Sequence, residues 1–79
     1  MTSTAELVEY LARRLVESPD AVSVEEVEDD GALVIRLSVA EDDLGRVIGR
    51  GGKIARALRT LVRASGAHGD RPVMLEIVE

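Results

Sequence analysis

The sequence predicts an α+β domain in which three helices lie on one face of a three-stranded mixed sheet, in the order α-β-β-α-α-β. Three observations carry that expectation. Residues 4–17 repeat apolar side chains at spacings of three and four, residues 32–40 and 72–78 alternate them, and a glycine-rich break separates two helix-like segments in between. The chain has 79 residues and is expected to form a single domain, residues 1–79, near the size at which one hydrophobic core becomes marginal. Its apolar share of 46% is almost wholly Val, Leu, Ile and Ala, with Tyr10 as the one aromatic, so the core must be aliphatic.

In the first helix, Leu7, Val8, Leu11, Ala12, Leu15 and Val16 form a single stripe. Ser3 and Glu6 have the spacing of a capping box, in which a hydroxyl and a carboxylate satisfy each other's orphan backbone donors. Ser18-Pro19-Asp20 ends the helix. Ala21 to Asp29 reads as an acidic edge strand carrying Val22, Val24 and Val27, with its alternation broken around Glu25-Glu26. Asp29-Asp30-Gly31 marks a tight hairpin turn. Ala32 to Ala40 is the central strand, with Leu33, Ile35, Leu37 and Val39 on one face and Val34, Arg36 and Ser38 on the other.

Glu41-Asp42-Asp43 supplies carboxylates suited to a helix N-terminus, and a short helix is expected from about Asp42 to Ile48. After the glycines, Ile54, Leu58, Leu61 and Val62 mark the inner face of another helix whose outer face holds Lys53, Arg56, Arg59 and Arg63. Ser65-Gly66 stops it. Ala67 to Asp70 reads as a polar loop, and Pro72 opens a last strand with Val73, Leu75 and Ile77 on one face. The first two strands should pair antiparallel. A crossover through two helices lets the third run parallel to the second.

Charge is unevenly spread. Residues 1–43 carry a balance of −9 and residues 44–79 one of +4, for a net −5. Such an acidic chain is no general nucleic-acid coat, but a local basic strip can still form a small electrostatic site. With no Cys, neither disulfides nor a thiolate zinc site can staple the fold, and a reducing, cytoplasmic setting is expected. No segment has the continuous apolar length of a membrane span. Enzyme chemistry lacks a constellation: His68 is the sole His and sits in a glycine-bearing loop, while the acidic pairs Glu25-Glu26 and Asp42-Asp43 are explained by edge protection and helix capping. No spacing suggests a metal site or cofactor.

The stretch LGRVIGRGGKIARALRTLVRA then needs an explanation. A P-loop fails, since Ile54 follows Gly52-Lys53 and Val47 occupies the place of the first glycine. A dinucleotide fingerprint fails too, because position 54 is not Gly and the stretch follows a helix. What is left is a helical hairpin turned by Gly49-Arg50-Gly51-Gly52, with Gly49 as helix stop and Gly51 or Gly52 at positive φ.

Val47-Ile48-Gly49-Arg50-Gly51-Gly52-Lys53-Ile54 resembles the signature of KH domains, a Val-Ile-Gly-x-x-Gly motif between two helices, with the following apolar position one residue early at Ile54 and Ala55 in its usual place. The strand and short helix before it, and the basic helix and strand after it, extend the resemblance over residues 32–78. An α-β unit at residues 4–29 ahead of that core, with no helix after the last strand, implies a type II KH domain. At this chain length the sequence is similar to the KhpA family of small bacterial RNA-binding proteins. That resemblance implies single-stranded RNA as ligand, a role as RNA chaperone or post-transcriptional regulator, a KhpB (Jag) partner, and links to cell shape and peptidoglycan homeostasis.

KH modules clamp about four nucleotides through the glycine loop, where a missing Cβ lets a phosphodiester approach the backbone. The residues expected at the site are Arg46, Val47, Ile48, Gly49, Arg50, Gly51, Gly52, Lys53, Ile54 and Arg56. Arg46, Arg50 and Lys53 bracket the loop with charge; Val47, Ile48 and Ile54 are the expected apolar contacts to bases, in a groove beside the central strand. No aromatic platform is available for stacking. The competing reading is a protein-interaction or homodimerisation module with a purely structural glycine loop, using Val34, Met74 and Val78 on the other sheet face.

Overall fold

The computed structural model describes residues 3–65 and 71–79. Helix α1 spans Thr4–Leu15 and is followed by a 3-10 turn at Pro19–Ala21. Strands β1 (Ser23–Asp29) and β2 (Ala32–Ser38) form a hairpin. A 3-10 turn at Glu41–Asp43 leads into α2 (Leu44–Ile48), a second tight turn at Arg50–Gly52 leads into α3 (Lys53–Ser65), and β3 (Val73–Ile77) closes the fold. The sheet order is β1-β2-β3, antiparallel then parallel, as expected. The expected polar loop at 67–70, with His68, and the Gly66 stop lie outside the described residues.

The capping box forms: the Glu6 backbone N–H donates to Ser3 Oγ and the Ser3 N–H to Glu6 Oε1, each at 3.1 Å. The Ser3 backbone bond first, then the Ser3 hydroxyl, holds the Glu6 carboxyl below its ordinary range. Helix α1 stops at Leu15, two residues short of the expected 4–17. The reason lies across the domain: the backbone N–H groups of Glu17 and Ser18 leave the helical ladder and donate to the carboxylate of Asp43, both at 3.1 Å.

The β1–β2 turn is a two-residue link with Asp30 at φ 52° and Gly31 at φ 84°, the paired positive φ values that match hairpin twist. The register runs without a bulge from Ser23↔Ser38 to Asp29↔Ala32. The apparent break in β1 alternation therefore has another cause. Val24 faces the helices beside Leu37, whereas Val27 sits on the open face, in a row with Val34 and Met74. Val22 is buried but precedes the strand.

All helices cover one sheet face. Ile35 and Leu37 are fully buried at the centre, with Leu75 and Ile77 beside them, and Val8, Ala12, Val47, Ala55, Leu58 and Val62 come down from the helices. In α3 the buried positions are Ala55, Leu58 and Val62, one helical stripe. Leu61 falls off that stripe and is 45% exposed, against the expectation that it belongs to the inner face.

Candidate nucleic-acid interface

The glycine turn is defined by backbone sterics. The Gly49 N–H closes α2 onto Gly45 O at 2.9 Å, and the Gly52 N–H closes the turn onto Gly49 O at 3.1 Å. Gly49 has φ 77° and ψ 170°, a region open essentially only to glycine. A Cβ there would sit 2.4 Å from Ile54 Cγ1 and 2.9 Å from the Ile54 backbone nitrogen, so Gly49 is required by the fold itself. Gly51 (φ 65°) and Gly52 (φ 79°) are also left-handed, but a Cβ on either would meet no protein atom within 4 Å. The bare surface of the loop faces outward at these two positions.

Beyond Gly49, whose bare backbone the fold requires, the residues expected at the site divide into three groups. Arg50, Gly51, Gly52, Lys53 and Arg56 lie together on the outer side of the turn and of the first α3 turn, with the three cations exposed. Ile48 and Ile54 are half-buried beside the loop, the latter wedged over Gly49. Val47 and Arg46 are engaged elsewhere. Val47 is completely buried in the core and cannot touch a base, because one helical step of about 100° turns it inward from Arg46. The Arg46 guanidinium pairs with Glu17 and, through Nε, with Asp43 Oδ1 at 3.4 Å.

Asp43, expected as a helix cap, supports the glycine turn from a distance instead. Its carboxylate makes no cap to its own helix; it is 2% exposed and binds Glu17 N, Ser18 N and Arg46. It thereby ties the end of α1 to the start of α2, the short helix that carries the glycine turn. Its backbone partners lie 25 and 26 residues earlier in the chain and no local spacing signals them.

The concave surface next to the loop is also displaced from expectation. A groove of about 450 Å³ opens between α3 and β3, at the sheet edge and away from the central strand. Gly52 heads it, Arg56, Arg59 and Arg63 form one wall, and Val73, Met74 and Leu75 form the other. In the parallel ladder the Leu33 N–H donates to Pro72 O and the Val78 N–H to Leu37 O, with Leu33 opposite Val73. That pattern directs the backbone polar groups of residues 72, 74, 76 and 78 toward β2. Those of Val73, Leu75 and Ile77 point to the free edge beside the groove.

Ion pairing separates the cations sharply. Arg13 pairs with Glu9, Arg36 with Glu25 and Glu76, Arg46 with Glu17 and Asp43, and Arg71 with Glu28. Arg14 lies over the Tyr10 ring. Among the described residues, Arg50, Lys53, Arg56, Arg59 and Arg63 have no carboxylate partner, and α3 contains no acid. No group of His, Cys, Asp or Glu among the described residues is arranged to hold a metal ion, and no helix there is long and apolar enough to cross a membrane.

A family model described as the KhpA/KhpB KH domain matches residues 5–77. The chain belongs to the KhpA/KhpB KH-domain family. Among curated relatives, the RNA-binding protein KhpA of Caldanaerobacter subterraneus is 45% identical over 92% of this chain and 97% of its own. The KhpA of Listeria monocytogenes is 45% identical over 94% and 97%. That of Treponema pallidum is 43% identical over 100% and 99%. These relatives are bacterial and are named for RNA binding, not for a reaction. Two solved structures of Era, one from Aquifex aeolicus bound to GDP and AlF4− and one in complex with MgGDPNP and nucleotides 1506–1542 of 16S ribosomal RNA, superpose with a TM-score of 0.64 at 28% identity. Each match takes in 94% of this chain but under a third of Era.

Proposed function

We propose that this protein binds single-stranded RNA, with a phosphodiester seated against Gly51 and Gly52 and the following bases in the groove between α3 and β3. The observation that carries this reading is a row of cations without a carboxylate partner among the described residues. Where Arg13, Arg36, Arg46 and Arg71 are matched by carboxylates, Arg50, Lys53, Arg56, Arg59 and Arg63 have none among the described residues and lie along one loop and one groove. A polyanion is a fitting counter-charge for them. The first backbone N–H groups of α3, together with Lys53, favour a phosphate at the turn, and the open space around Gly51 and Gly52 admits one. The names of the curated KhpA relatives, and the recurrence of the fold in a protein solved with a ribosomal RNA fragment, support the same ligand class.

Residues 1–79 act as one KH unit in this reading. The wider role proposed for it is that of an RNA chaperone or post-transcriptional regulator in the cytoplasm, working with a KhpB-type partner. The test is fluorescence anisotropy with a labelled nine-nucleotide RNA on wild type and on Arg50→Asp with Gly51→Asp. Aspartate is among the residues that tolerate the left-handed backbone of position 51, and its Cβ would meet no protein atom within 4 Å, so the variant is expected to stay folded, as circular dichroism checks. Affinity is expected to fall at least about tenfold, as two repulsive charges replace an attractive one at a phosphate site. Equal affinity of the two folded proteins removes the proposal.

A second reading has its own observation. On the solvent side of α3, Ala57, Thr60 and the exposed Leu61 line a shallow depression with Lys53 and Arg56, an apolar centre with a basic rim suited to protein docking. A homodimer or a heterodimer with a KhpB-type protein is compatible with RNA in the groove on the other side of the helix. Sedimentation from micromolar to millimolar concentration checks the homodimer; a mass that stays monomeric throughout contradicts it.

A further inference from the structure

We infer that the groove selects guanine: RNA carrying a guanine at the groove position binds in preference to the same RNA carrying adenine or uracil there. The inference rests on the RNA-binding reading above and adds what the groove distinguishes.

The two walls of the groove differ in the donors and acceptors they offer. On the α3 wall the polar side chains are Arg56, Arg59 and Arg63, none paired with a carboxylate among the described residues. Arginine offers planar forks of N–H donors and no acceptor. Among the described residues lining the groove, no side chain carries an oxygen: the others are Gly52, Val73, Met74 and Leu75. Glu76, the nearest acid on β3, does not line the groove and is held by Arg36 at 2.9 Å. The strand wall supplies acceptors of a different kind, the outward backbone carbonyls of Val73, Leu75 and Ile77, alternating with N–H groups.

A base lying between these walls meets donors only on one side, and on the other backbone carbonyls that alternate with N–H groups. Guanine fits that polarity. Its O6 and N7 are adjacent acceptors that a guanidinium fork engages bidentately, and its N1–H and N2–H2 are donors suited to the strand carbonyls. Adenine sets an N6 amino donor beside N7, which meets the arginine wall donor to donor. Uracil offers single acceptors without the adjacent pair. Lysine at these positions would have supplied equal charge without the fork, so three arginines add geometry that phosphate attraction does not need.

The experiment compares labelled nonamers of uridine with a central guanosine, adenosine, 7-deazaguanosine or uridine, on wild type and on the triple variant Arg56→Lys, Arg59→Lys, Arg63→Lys. Wild type is expected to bind the guanosine RNA about tenfold more tightly than the adenosine and uridine RNAs, the scale of one bidentate arginine–guanine contact. Loss of N7 in 7-deazaguanosine should remove most of that preference. The triple lysine variant keeps the charge and should bind all four RNAs alike, near the wild-type affinity for the uridine RNA. Equal binding of all four RNAs by wild type overturns guanine selection and leaves RNA binding standing, as does a preference that survives in the lysine variant. Failure of wild type to bind any of the four overturns both readings.

Discussion

Among the described residues two turns pass through left-handed backbone, and they are built from different residues. The β-hairpin places Asp30 at φ 52° next to Gly31, whereas the helical hairpin places Gly51 at φ 65° between Gly49 and Gly52. Asp30 shows that an exposed aspartate is accommodated in left-handed backbone, in keeping with the tolerance of Asn and Asp for this region. At Gly51, also exposed, a Cβ would meet nothing within 4 Å. The fold alone does not demand a bare backbone at 51. Charge divides the turns in the same way: the hairpin is flanked by Glu28 and Asp29, the helical turn by Arg50 and Lys53. The hairpin turn serves chain reversal, and the helical turn presents a bare, basic surface outward.

Within the helical turn itself, the three glycines are unequal, and the largest expected effect exploits this. Gly49→Ala combines strained backbone with a 2.4 Å approach to Ile54, and should lower stability by about 3 kcal/mol as left-handed strain and overpacking add. Urea unfolding measures it; a loss below about 1 kcal/mol would mean that the Gly49–Ile54 contact relaxes readily. Next in size is Asp43→Ala. It strips the acceptor from Glu17 N and Ser18 N and should cost about 2 kcal/mol, as expected for partly buried donors left without a partner. Hydrogen exchange at those two amides should speed up before the rest of α1 is affected.

A smaller effect compares two arginines of one helical hairpin. Arg50 flanks the glycine turn with no carboxylate partner among the described residues, while Arg46 is already matched by Glu17 and Asp43. Arg50→Gln should therefore flatten the plot of log affinity for RNA against log salt by about 0.7, the share of one phosphate contact to a single strand. Arg46→Gln should leave that slope where it is. Equal changes for the two variants would place Arg46 on the RNA as well.

Much of this was readable from residue spacing. The helical stripe of α1, the capping pair Ser3 and Glu6, the alternation of β2 and the glycine turn are local signals, each within one element, and they gave the element order and the family resemblance. The parts that were not legible depend on distant partners. Asp43 looked like a helix cap because acids precede helices so often, and its real donors belong to the end of α1. Val27 broke the β1 pattern because it faces the open side of the sheet with Val34 and Met74. Val47 was grouped with base contacts through its closeness to Gly49 in sequence, although the helix turns it into the core. The groove moved from the central strand to β3 because α3 lies over the sheet edge, and only the assembled strand order places that edge.

If position 51 is kept bare for a ligand and not for the fold, Gly51→Asn separates the two. Asparagine tolerates left-handed backbone and changes no charge, and its Cβ would meet no protein atom within 4 Å, so unfolding should shift by less than about 1 kcal/mol. This folded variant is expected to lose about tenfold in affinity for a nine-nucleotide RNA, because its side chain occupies the place proposed for a phosphodiester against the backbone. Wild-type affinity in the folded variant would contradict it.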